Sequence, residues 1–217
     1  MFRRISRITL PVVAGGLAFG LFPFRKSQFN PSQMSHNEEI AQSIRNTDLY
    51  KRLTDDPEFS KMDTDKQFPQ QHLRNYVSSG LLFGKDLFET KPVIFFNKTS
   101  GEFFAFHHIG KKLVSDDGKI HNGITATLLD EGLCAAGFPF LPSRKGVTAK
   151  LSINFENQVT PNSIVAVKAN VVEHKGRKVV INGSLESLDN NPTTIATANC
   201  ILVEPKWFRY FSWFQFI

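Results

Sequence analysis

Within HNGITATLLDEG, residues 121 to 132, two adjacent carboxylates interrupt an apolar run that opens on His-Asn-Gly. Asn122 and Gly123 suit a helix start, where the first backbone N–H groups lack internal partners and carry partial positive charge. Such an end can stabilise negative charge growing on a carbonyl oxygen. Ile124, Ala126, Leu128, Leu129, Leu133, Ala135 and Ala136 cover nearly the whole circumference, so the helix is expected to be buried. Asp130 and Glu131 point roughly 100° apart and cannot serve one site equally. A carboxylate in such surroundings is costly unless chemistry needs it.

Eight residues at 1.5 Å each separate 122 from 130 by about 12 Å along the axis. One reacting carbonyl cannot touch both, since a hydrogen bond reaches only roughly 3 Å. Two copies of the helix lying antiparallel across a two-fold axis bring the start of one beside Asp130 of the other, because an isologous interface pairs position i with j and j with i. The expectation is a homodimer, or a dimer of dimers, with two sites shared between subunits.

HNGITATLLDEG followed by VTAKLSINFEN resembles the hotdog-fold thioesterases, in particular the phenylacetate-pathway type and the mitochondrial thioesterase superfamily members 4 and 5, with a fungal mitochondrial member among the possible forms. The family pattern is His-Gly-Gly, six residues, Asp, then a Ser or Thr opening the following strand. The resemblance covers roughly residues 90 to 205, the size of one domain. It implies that Asp130 is the catalytic carboxylate, and that His121, Gly123 and Thr148 match the His, the second Gly and the strand Thr. Asn122 stands where the pattern has its first Gly, whose backbone N–H is the family's oxyanion donor. Asn retains that N–H and tolerates positive φ, but brings a side chain toward the thioester.

The implied activity is hydrolysis of a fatty acyl-CoA. Its carbonyl oxygen would sit against the N–H groups of Asn122 and Gly123. Asp130 of the partner subunit would deprotonate a water or attack directly to give a mixed anhydride, with Thr148 orienting the water and His121 shaping the turn. Phe95, Phe96, Phe103, Phe104 and Phe106 offer some apolar lining for the acyl chain, with most of these rings expected in the core. The rival is a catalytically silent hotdog protein that binds acyl-CoA or a membrane partner, and Asn122 favours it. A dehydratase or hydratase lacks a His after Asp130 to complete an acid/base pair.

The flanking pattern positions that helix. Val93 to Asn97, a turn at Lys98 to Gly101, and Glu102 to Ile109 read as a hairpin. Val147 to Phe155 alternates, with Val147, Ala149, Leu151, Ile153 and Phe155 on one face. Ser163 to Glu173 and Lys178 to Leu188 flank the loop HKGR, and Thr193 to Val203 forms a last strand. The expected class is α+β, an antiparallel sheet wrapped around one long buried helix.

Cys134 and Cys200 form no CxxC and no Cys/His cluster, so neither a disulfide framework, a metal site nor a cofactor is expected. Cys134, one turn beyond Asp130, reads as a small buried apolar residue, because no His base follows it on the helix. Phosphate-loop and dinucleotide motifs are absent.

The formal charge of +6 misleads. Arg3, Arg4, Arg7, Arg25 and Lys26 precede the first acid, Glu38, and without these five the 26 basic residues fall to 21 against 20 acids. Nucleic acid is therefore not an expected partner. Those five belong to an address. MFRRISRITL resembles a mitochondrial presequence, and 17 uncharged residues lie between Arg7 and Arg25, at the short limit for a membrane span. A secretory signal is disfavoured because no small-x-small cleavage site follows and no disulfide pattern accompanies it.

The expected organisation is a mitochondrial targeting sequence with a short hydrophobic membrane segment over residues 1–30, a polar linker with a helical segment over 31–89, the hotdog domain over 90–205, and an aromatic tail over 206–217. In the linker, Ser35 and Glu38 have capping-box spacing, Ile40, Ile44, Leu49 and Leu53 give a partial stripe, and Pro57 ends the helix. The tail WFRYFSWFQFI fits either a bilayer surface or the domain's own sheet.

Overall fold

The computed structural model describes residues 37–62, 77–188 and 192–208. The charged N-terminus, the apolar run 8–24, Ser35 and most of the aromatic tail lie outside them. Among the described residues no helix is long and apolar enough to cross a membrane.

The described residues open with two short helices, α1 (Glu38–Asn46) and α2 (Asp48–Asp55). One helix was expected, but Thr47 accepts from the Tyr50 N–H and caps the second, and Asn37 caps the first through the amides of Glu39 and Ile40. Strand β1 (Ser60–Met62), which has no periodic signal, precedes a π-helical turn at Val77–Leu81. Strands β2 (Val93–Phe96) and β3 (Glu102–Ile109) form the expected hairpin. Gly101 turns it with a φ of +76°, where a Cβ is strained. The central helix α3 (Asn122–Gly137) follows, then β4 (Val147–Phe155), β5 (Ser163–Lys175), β6 (Lys178–Ser187) and β7 (Thr194–Val203). The HKGR loop is shorter than expected: β5 runs through His174 to Lys175, and Gly176, at φ +57°, takes the turn.

Among the described residues the seven strands form one sheet in the order β1-β2-β3-β5-β6-β7-β4, antiparallel throughout. Helix α3 packs on one face. Leu129 and Leu133 are fully buried and join Phe96, Phe103, Val167, Ile181 and Leu202 in the main core. Truncating either leucine to Ala costs about 2–5 kcal/mol by lost transfer energy and the cavity left behind. The fit is close because glycine lets it be: a Cβ on Gly132 would lie 2.7 Å from Val167 Cγ1, and one on Gly137 2.6 Å from Leu202 Cδ1.

The opposite face of the hairpin is covered by α1 and α2. Ile44 and Leu53 pack with Phe95, Phe106 and Ala166, and Tyr50 meets the rings of Phe95 and Phe106 edge-on. Most of the five rings are core, as expected, and they divide between the two faces of the sheet. Alternation along paired strands sends Phe95, Phe104 and Phe106 to the α1–α2 side, leaving only Phe96 and Phe103 of the five rings with α3.

Candidate active site

His121 caps α3. Its backbone is extended at φ −63° and ψ 130°, and its Nδ1 accepts from the Gly123 N–H at 2.8 Å. An accepting Nδ1 places the ring proton of the neutral imidazole on Nε2. Glycine at 123 makes this possible, because a Cβ there would fall 2.8 Å from the same nitrogen. The His121 N–H donates to the Leu113 carbonyl, and the Ile120 N–H to that of Val159. Both flanking loops thus hold the helix start, which stays exposed across residues 121–123.

Asp130 lies two turns further on, half-buried, and accepts from Thr148 Oγ1 at 2.9 Å. A register shift makes this contact. In the pairing of β4 with β7, Thr148 faces Leu202, Lys150 faces Ile201 and Leu151 faces Cys200, so Ala149 is an inserted residue. A bulge of this kind reverses the alternation beyond it. Thr148, Leu151 and Ile153 therefore share the half-buried side, while Val147, Ala149 and Phe155 are exposed. The expected single face through Val147, Ala149 and Leu151 is corrected on this ground.

Glu131 points elsewhere, as its position on the helix requires. Its carboxylate accepts from the Ser78 Oγ and, at 3.3 Å, from the Ser78 N–H. Burial pushes this carboxyl above its usual range, and the two Ser78 bonds pull only partly against it. Cys134 completes the cluster, with its Sγ 3.2 Å from Thr148 Oγ1.

Of the expected residues, Asp130 and Thr148 are in contact, and His121 and Gly123 are in contact. The two pairs are separated by about 12 Å of helix. Reading residue types missed the Cys134–Thr148 contact. The only available signal was the placing of Cys134 one turn after Asp130, since a contact to a bulged strand has no local signature.

A family model described as the thioesterase superfamily matches residues 117–193. Over 99% of its length the chain is 51% identical to an uncharacterized mitochondrial protein of Candida albicans, which it covers completely. It is 37% identical to MIOREX complex component 3 of Saccharomyces cerevisiae, over 84% of this chain and 76% of that one. It is also similar to the acyl-coenzyme A thioesterase THEM4 of Mus musculus, at 26% identity over 79% of this chain and 69% of the mouse protein.

Proposed function

Because the chain belongs to the thioesterase superfamily and has its hotdog fold, we propose that it hydrolyses fatty acyl-CoA at sites shared between two copies. The observation that carries this reading is the Asp130–Thr148 pair, held half-buried on the central helix by the β4 bulge. A second support is β4 itself, a nine-residue strand at the end of the sheet order. Val147 and Phe155 on it are each 45% exposed. An uncovered edge of this length is a template for pairing with another strand. Two copies joined there about a two-fold axis would continue the sheet and set each helix start near Asp130 of the partner subunit.

In that assembly the thioester carbonyl oxygen meets the Asn122 N–H. The Gly123 N–H is already engaged by His121, so the oxyanion role falls to Asn122. Asp130 takes a proton from water as the water oxygen bonds to the carbonyl carbon. The tetrahedral intermediate then expels the CoA thiolate, which takes that proton from Asp130, and the fatty acid is released. Thr148 has one hydroxyl hydrogen, which it gives to Asp130, so it orients the water as an acceptor.

The wider reading is a mitochondrial protein, supported by the Candida relative's name. Residues 1–30 would carry the address and hold the protein to a membrane, with 31–89 as connection, 90–205 as the catalytic domain and 206–217 as the aromatic tail. Asp130→Asn tests the chemistry. With an acyl-CoA chain-length panel, thiol release should fall about 10²–10⁴-fold, the size of a general-base contribution, with unchanged thermal unfolding. Normal release would remove Asp130 from the mechanism. Asn122, together with the yeast relative's name as a complex component, favours a second reading: a silent hotdog protein serving an assembly. Acyl-CoA binding without thiol release by the unaltered chain would support it.

A further inference from the structure

We propose that Cys134 is a positioning residue in a one-way hydrogen-bond relay, its thiol donating to Thr148 and so holding the Thr148 hydroxyl on Asp130. This deepens the hydrolase reading and rests on it for its effect on turnover.

The direction follows from counting hydrogens. Thr148 Oγ1 lies 2.9 Å from Asp130 Oδ1 and 3.2 Å from Cys134 Sγ. An ionised carboxylate only accepts, so the single hydroxyl hydrogen goes to Asp130. The Cys134 contact is then S–H donating to Thr148. Donation therefore runs from Cys134 to Thr148 to Asp130.

The packing brings these groups together. Gly132 and Gly137 let α3 approach the sheet on either side of Cys134, closely enough that a Cβ at either would collide with Val167 or Leu202. Cys200, fully buried on β7, pairs with Leu151 on β4 and Ile181 on β6. The bulge turns Thr148 toward the same side.

Without the Cys134 donor, the Thr148 hydroxyl loses the partner that fixes its rotamer about Cβ, and Asp130 loses a fixed donor. Packing alone makes a different prediction, because Ser is smaller than Cys yet keeps the donor. Cys134→Ala should lower kcat about fivefold at unchanged KM, the fold-change one hydrogen bond of ordinary strength supplies. Cys134→Ser should restore it to within about twofold. Unchanged kcat in Cys134→Ala, or Cys134→Ser as slow as Cys134→Ala, overturns the relay.

A second measurement does not need turnover. In the whole chain, the rate of Cys134 alkylation by iodoacetamide is followed against pH by mass spectrometry. Thr148→Val removes the acceptor of the Cys134 thiol hydrogen, a bond that favours the protonated form, and should shift the profile to lower pH, speeding alkylation at fixed pH about fivefold. A profile that is unmoved or shifts to higher pH overturns the relay whatever the activity. A profile shifted to lower pH in a chain that releases no thiol leaves the relay standing and ends the hydrolase reading.

Discussion

The two ends of the candidate site on α3 are held in different ways. At the helix start, His121 caps Gly123 two residues away, and the arrangement is exposed and local. In the middle of the same helix, Asp130 depends on Thr148, 18 residues later on another element, and Thr148 faces it through a bulge set by pairing with β7. The cap is a property of three consecutive residues, although the backbone leading into it is tied to Leu113 and Val159. The middle exists only when the sheet is assembled.

The sharpest way to break this contrast uses Asn122→Pro. Proline is favoured at the first helical position and removes only the amide hydrogen, and the extended His121 backbone, at ψ 130°, is what a following proline requires. The helix should persist while turnover falls about 10²–10³-fold, the cost of one oxyanion donor. Mixed with Asp130→Asn copies and reassembled, the two inactive chains should recover about a quarter of full activity, because half the dimers then hold one intact site. No recovery by mixed dimers, measured by thiol release after co-refolding, would show that each site lies within one chain.

Acid probes the sheet on which the middle depends. His107 on β3 is buried against Phe88, and burial lowers its imidazole from 6.5 to about 4. The unfolded chain binds that proton near pH 6.5 and the folded one near 4. Its contribution is therefore complete above 6.5 and is lost as pH falls toward 4, by about 3 kcal/mol at most. Glu131 works in the opposite sense, since a raised carboxyl is less unfavourable once protonated. Denaturant midpoints from pH 7 to 4 should fall, and His107→Gln should flatten the slope. An unaltered slope would place the acid sensitivity in other groups.

The smallest effect belongs to the start. Gly123→Ala drives a Cβ into His121 Nδ1 and should cost about 1 kcal/mol, as loss of an N-cap does. Calorimetry would read it as a modest drop in melting temperature. A loss several times larger would mean that the cap, too, depends on tertiary contacts.

Much of the fold was legible beforehand. The span of α3 and the limits of β4 to β7 lie within about two residues of expectation, because burial on one face imposes periods of 3.6 and 2 on the side chains. The motif picked out Asp130 and Thr148, which the fold brings into contact, and His121, which caps the helix. The bulge at Ala149 was not legible, and the simple alternation read along β4 turned Thr148 away from its apolar neighbours Leu151 and Ile153. Register belongs to two strands at once, and one strand's pattern does not contain it. The break at Thr47, the short β1 and the bonds from Ser78 to Glu131 escaped for a similar reason: each is defined by a partner or a cap outside the repeating pattern.

What the order of residues determined by itself was which groups exist, their spacing along the helix and which sides must be dry, since covalent geometry and water act on every segment alike. Tertiary structure alone decided what those groups touch. Hydrogen bonds among Asp130, Thr148 and Cys134 act over about 3 Å, while the residues that make them lie 14 and 18 positions apart, and only the packed helix and the bulged strand close that distance.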